Sequence, residues 1–272
     1  MKTPVPVPSQ PDDVLSHVEA FIRLVRILRE QCPWDKKQTM ETLRHLTIEE
    51  VYELGDAILD KNIDEIKKEL GDIMLHLVFY ARIADENKWF TLADVINTEC
   101  EKLISRHPHI YPPANGQKVK VEDEEEVKRN WEKLKMKEGK KSVLEGVPRS
   151  LASMVKAQRI QEKAKGAGFD WEKPEQVWEK VEEEIGEFQQ AVHTSDHHKM
   201  TEELGDVFFA LINYARFHQL NPDEALERTN KKFISRFKYM EEKVRESGKQ
   251  LHDLSLAEMD VYWNEAKTTE TK

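Results

Sequence analysis

Glu49-Glu50-Val51-Tyr52-Glu53 followed by Glu69-Leu70-Gly71-Asp72 decides the reading of this chain, because the pattern returns as Glu183-Glu184-Ile185-Gly186-Glu187 followed by Glu203-Leu204-Gly205-Asp206. Each acid of the second set stands 134 residues after its counterpart in the first, Glu184 after Glu50 and Asp206 after Asp72. Helical residues three or four apart share a face, so Glu50 pairs with Glu53, Glu69 with Asp72, Glu184 with Glu187 and Glu203 with Asp206. Short polar turns at 60–62 and 194–197 make the two helices of each set antiparallel neighbours. Each acid pair lies about two turns from its connecting loop, so four carboxylates converge across each hairpin.

The repeat runs beyond the acids. Tyr80-Ala81-Arg82 matches Tyr214-Ala215-Arg216, Ile104-Ser105-Arg106 matches Ile234-Ser235-Arg236, and Trp131 with Lys135 echoes Trp263 with Lys267. Co-linear agreement of this length indicates two copies of one helical unit. Apolar periodicity predicts helices over 13–31, 40–59, 64–86, 91–106 and 121–137, then 150–165, 174–192, about 198–219, 223–247 and 256–267. The second helix places Leu43, Ile48, Val51, Leu54 and Ile58 on its apolar face, and the third places Leu70, Ile73, Leu77 and Tyr80. The fold expected is all-α, with a tail at 1–12, one domain at 13–138, a linker at 139–149 and a second domain at 150–272.

Composition narrows the function. Charged residues make up 35% of the 272 residues and the net charge is −10, which argues against stable nucleic-acid binding, since that needs a basic footprint. Two cysteines, Cys32 and Cys100, show no pairing pattern and suit a cytoplasmic location. No apolar run approaches the ~18 residues of a membrane span.

Four clustered carboxylates repel one another unless a cation intervenes. An all-oxygen donor set points to Mg²⁺ or Mn²⁺ rather than zinc. A solvated acidic face is the ordinary reading of one such motif, and its register-locked duplication argues against it. Di-iron bundles use Glu-x-x-His on facing helices, and here the corresponding position is Asp72 or Asp206. Gly71 and Gly205 fall inside predicted helices, where glycine costs ~1 kcal/mol against alanine, and a close helix approach beside the site would account for them. His107, His109, His197 and His198 lack the context of a zinc site, and Cys32 has no neighbouring histidine to activate it.

With Cys32-Pro33-Trp34-Asp35, Gln38-Thr39 and both acidic sets in view, the chain resembles the MazG family of nucleoside triphosphate pyrophosphohydrolases, in its tandem two-domain form, from about residue 14 to 267. The resemblance implies Mg²⁺-dependent hydrolysis of NTPs and dNTPs, over a broad range of bases, to the monophosphate and pyrophosphate. It also implies a homodimer in which helix hairpins pack into four-helix bundles. It carries metal ligands onto Glu184, Glu187, Glu203 and Asp206, echoed by Glu50, Glu53, Glu69 and Asp72. It carries nucleotide contacts onto Lys180, Lys199, Lys232, Arg236, Trp263 and Lys267. Lys232 and Arg236 lie four apart, on one helical face, and suit phosphate oxygens; Trp263 offers a stacking surface indifferent to base identity. Glu183 or Glu184 is the candidate to orient the attacking water.

The halves differ at two of these places. Leu46 stands where the second half has Lys180, and Glu65 where it has Lys199. The C-terminal half is therefore expected to carry most of the activity. Two rival functions fit the same helices: a nucleotide-sensing adaptor without catalysis, and a base-specific dUTPase-like member of the same all-α group.

Overall fold

The computed structural model describes residues 4–112, 116, 121, 123, 126–127, 130–131, 134 and 141–269. The helix expected over 121–137 falls largely outside them, as do Lys135 and the first two residues of the expected linker. Among the described residues there are nine α-helices and no strand: α1 Val14–Gln31, α2 Met40–Leu59, α3 Ile63–Glu86, α4 Leu92–Arg106, α5 Ser153–Gly166, α6 Pro174–Thr194, α7 His197–Phe217, α8 Pro222–Glu246 and α9 Leu256–Thr269. The all-helical, tandem-repeat expectation is borne out. The chain divides into two compact units, Met1–Val121 and Glu122–Lys272. No described helix is long and apolar enough to cross a membrane.

In the first unit the helices begin where short polar side chains satisfy the free N–H groups of the first turn. Asp13 accepts from Leu15 and Ser16, and Asn62 from Glu65. Thr39 with Thr42, and Thr91 with Asp94, form reciprocal capping boxes. Val25, Leu43, Val78, Phe79 and Ile83 form a buried cluster joining α1, α2 and α3. Arg29 ties the same three helices together. Its guanidinium donates to Glu86 at the end of α3 at 3.0 and 3.1 Å, and to the backbone oxygens of Asp35 and Gln38 ahead of α2 at 2.5 and 2.9 Å. The Cys32-to-Thr39 motif thus forms a tight connection: a 3₁₀ turn at Asp35–Lys37, with the Gln38 amide donating to the Trp34 carbonyl.

The second unit is built alike. Asp196 caps α7, and Asn221 caps α8 with Pro222 in its first turn. Met240, Val244 and Leu254 form the buried cluster under α8 and α9. Arg216 on α7 makes a bidentate pair with Asp170, one arm at 3.0 Å, and is steadied by Asn213, which holds the loop before α6 against α7. The hairpin turns agree in backbone as well as in position: Lys61 and Ser195, 134 residues apart, both adopt φ 54°.

Two expectations are corrected. Of the apolar face read on α2, only Leu43 is buried; Ile48, Val51 and Ile58 are 42–54% exposed, and Leu70 and Leu77 on α3 are 53% and 59% exposed. Periodicity identifies an apolar stripe, whereas its covering depends on neighbours that spacing along the chain does not reveal, and the described residues leave it exposed. Nor does a close helix approach explain Gly71 and Gly205, because a Cβ built at either meets nothing within 4 Å.

Candidate metal centre

The hairpins α2/α3 and α6/α7 each gather acids. In the first unit, carboxylate oxygens of Glu50, Glu69 and Asp72 lie within 4.8 Å of one another; in the second, those of Glu184, Glu187 and Glu203 do. The fourth acid of each set, Glu53 or Asp206, stands outside this group but within its field. Burial, then the Glu69 charge, raises Glu53 above the usual carboxylate range, and the Asp206 charge adds to the rise of Glu203.

The electrostatics are those of a site that wants positive charge. Burial, then the Asp72 and Glu53 charges, push Glu50 above the usual carboxylate range; burial, then Glu50 and Asp72, do the same to Glu69. Glu203 is raised by burial and then by Glu187, against the pull of Lys199. Glu69 is only 7% exposed, and its Oε2 is buried without a hydrogen-bond partner. A buried carboxylate oxygen left unpaired is costly, and a hard divalent cation ligated by oxygens would satisfy it. The residues present therefore fit such an ion.

The second unit partly meets this demand from within. Lys180 Nζ lies 2.8 Å from an oxygen of Glu183 and 2.8 Å from Glu184, which is itself buried. These hydrogen bonds to Glu183 and Glu184 hold the Lys180 ammonium above its ordinary range. Lys199 Nζ stands 3.9 Å from Glu203. Glu183 lies outside the ligand group, its side chain 55% exposed.

The remaining expected contacts form a second group on α8 and α9. Trp263 is half-buried, its ring 4.9 Å from that of Phe233, with the Arg236 guanidinium 5.9 Å from its centroid. Lys232 is exposed, and Lys267 donates to Asn264 at 2.9 Å. His76 escapes the sequence reading. It is 7% exposed on α3, one turn beyond Asp72; burial lowers its basicity against the pull of Asp72, and its Nδ1 has no partner. The second half has Ala210 in its place. The signal was present in the four-residue spacing from Asp72, but a comparison of acids alone passes over it.

Fold and site together define an all-α protein with a duplicated hairpin, each copy presenting an oxygen-rich cluster suited to a hard cation. The model of the MazG nucleotide pyrophosphohydrolase domain matches twice, over residues 38–111 and 172–240, and each match contains one acidic set. The chain is 42% identical over 254 residues to the nucleoside triphosphate pyrophosphohydrolase/pyrophosphatase MazG of Thermotoga maritima, covering 92% of this chain and 95% of that protein. It is 34% identical over 265 residues to a nucleoside triphosphate pyrophosphohydrolase of Escherichia coli K12, covering 94% and 99%. It is also 43% identical over 272 residues to the uncharacterized protein YabN of Bacillus subtilis, covering 97% of this chain and 55% of that longer protein. The chain belongs to the MazG nucleotide pyrophosphohydrolase family and is an enzyme of the hydrolase class.

Proposed function

We propose that this protein hydrolyses nucleoside triphosphates of several bases to the monophosphate and pyrophosphate in a reaction that needs Mg²⁺ or Mn²⁺, chiefly in its C-terminal half. The observation that carries the reading is the pair of carboxylate clusters, at matching places within the two family matches. Glu184, Glu187, Glu203 and Asp206 are the ligands in the second half; Glu50, Glu53, Glu69 and Asp72 are their counterparts in the first. These carboxylates would hold a divalent ion, which when bound would supply positive charge to offset that developing on the triphosphate.

The chain's own groups do the rest. Glu183, beside the cluster but not in it, orients a water and accepts its proton, with Glu184 as the alternative. Lys180 and Lys199 neutralise phosphate oxygens, and Lys232, Arg236 and Lys267 add positive charge from α8 and α9. Trp263 supplies a stacking face, which tolerates many bases. The first half has Leu46 and Glu65 where these two cations stand, which lowers its claim to the reaction. The uncovered stripe of Ile48, Val51, Leu70 and Leu77 supports a homodimer built through the hairpins. Domains over 13–138 and 150–272, joined by 139–149, complete the reading.

The test is pyrophosphate release from several NTPs and dNTPs, with and without Mg²⁺. Release from more than one base, abolished by chelation, is expected. Nucleotide binding without release would leave a sensor, and release from one base alone would leave a base-specific, dUTPase-like pyrophosphohydrolase.

A further inference from the structure

Lys180 occupies a position that the metal reading does not explain. Its ammonium bridges Glu183 and Glu184 at 2.8 Å each, and Glu184 is one of the three residues whose oxygens converge. A cation entering that cluster meets a Glu184 whose Oε1 already holds the Lys180 ammonium, so the two positive charges compete for one carboxylate. The pair is shielded on one side only: the Glu184 side chain is 10% exposed and that of Lys180 36%. The flexible four-carbon stem therefore has room to swing the ammonium away.

The first half provides the contrast. Leu46 replaces Lys180 there and packs against the apolar core. The buried Oε2 of Glu69 in that cluster has no partner. Among the described residues the first cluster thus keeps an unsatisfied carboxylate oxygen, while the second has an internal ammonium on its most buried acid.

We propose that Lys180 is a resident counter-ion that competes with the divalent metal for Glu184 and gives way as it moves onto a phosphate, so that the C-terminal site loads metal and triphosphate together. The inference rests on the metal and phosphate roles proposed above and adds an order of events to them. A triphosphate that draws Lys180 off Glu184 strengthens metal binding, and by linkage the metal strengthens triphosphate binding by the same factor. The first cluster, with Leu46 in that place, takes metal without this help.

The experiment is Mn²⁺ binding to the full chain, followed by electron paramagnetic resonance, without nucleotide and with a non-hydrolysable triphosphate analogue. Glu69→Gln and Glu184→Gln identify the sites by loss. Without nucleotide, the first cluster is expected to hold Mn²⁺ about tenfold more tightly than the second, within the usual range of such couplings. Lys180→Met should tighten the second site about tenfold and remove the gain that the analogue brings, while Lys180→Arg should stay near wild type. Thermal unfolding of each variant checks that it is folded. Unchanged or weaker Mn²⁺ binding in Lys180→Met, with both sites otherwise intact, overturns the counter-ion role alone. Mn²⁺ binding at neither cluster, with or without the analogue, overturns the metal reading and this inference with it.

Discussion

Replacing Glu187 by glutamine removes one of the three converging charges of the second cluster while keeping nearly the same shape. A ligand that binds only the folded state stabilises it by RT ln(1 + [L]/Kd), about 2.7 kcal/mol at a hundred times Kd. For a unit the size of Glu122–Lys272, each kcal/mol moves the unfolding midpoint by about 2–4 °C, so saturating Mg²⁺ should raise it by roughly 5–10 °C. Losing an outer hydrogen-bond partner of a metal site costs ~10–100-fold in affinity; losing a ligand should reach at least the top of that range. At the same Mg²⁺ concentration the stabilisation then falls to about 0.4 kcal/mol, a shift of about 1 °C. The metal-free midpoint should not fall, because Glu187 is one of the charges that raise Glu203. Differential scanning calorimetry with and without Mg²⁺, run beside a pyrophosphate-release assay, reads both quantities. A wild-type Mg²⁺ shift or full Mg²⁺-dependent turnover in Glu187→Gln refutes the carboxylate centre.

Three further outcomes follow from the same geometry. In the full chain, Glu184→Gln should remove most pyrophosphate release and Glu50→Gln only a small part; a larger loss from Glu50→Gln would reverse the assignment of the active half. Gly71→Ala and Gly205→Ala should each stabilise by about 1 kcal/mol in thermal unfolding, since an added Cβ meets nothing; destabilisation would show that a neighbour outside this chain presses on that face. Glu86→Gln should cost roughly 2 kcal/mol at neutral pH, because it unpairs Arg29. Burial pushes Glu86 up, but Arg29 and Arg82 outweigh it and hold its carboxyl below the usual range. Its contribution is therefore fully present above the ordinary carboxylate pKa of about 4.3 and disappears as pH falls through the lowered folded value. Urea titrations of wild type and Glu86→Gln at a series of pH values should converge in acid; a gap that persists there counts against the ion pair.

The helices were legible because their signals are local. Asp13, Thr39, Asn62 and Thr91 announce helix starts through their own side chains, and α2 begins and ends where the periodicity placed it. The clusters were legible because three-residue spacing and a short turn determine which acids can meet. What stayed hidden depends on groups far apart in sequence. Spacing cannot say which of four like-charged oxygens turns outward, so Glu53 and Asp206 looked equal to the rest. It cannot say whether Ile48 and Val51 have a neighbour, nor that open space lies beside Gly71. Lys180 is a different miss: it stands three and four residues before Glu183 and Glu184 on α6, a spacing legible in the sequence, and its ammonium is found on both.

Lys61 and Ser195 turn the two hairpins through the same left-handed conformation, although neither has the asparagine or glycine that usually favours it. The bend therefore belongs to the way the flanking helices meet rather than to the residue at the corner. Segments 40–72 and 174–206 correspond position for position across both acidic sets and the corner, so grafting the later one into the earlier place keeps the corner in register and gives both halves a lysine beside their acids, while leaving Glu86 to Arg29. A duplicated gene of this build could thus pass a change made in one copy to the other by a single exchange, without redesigning the corner.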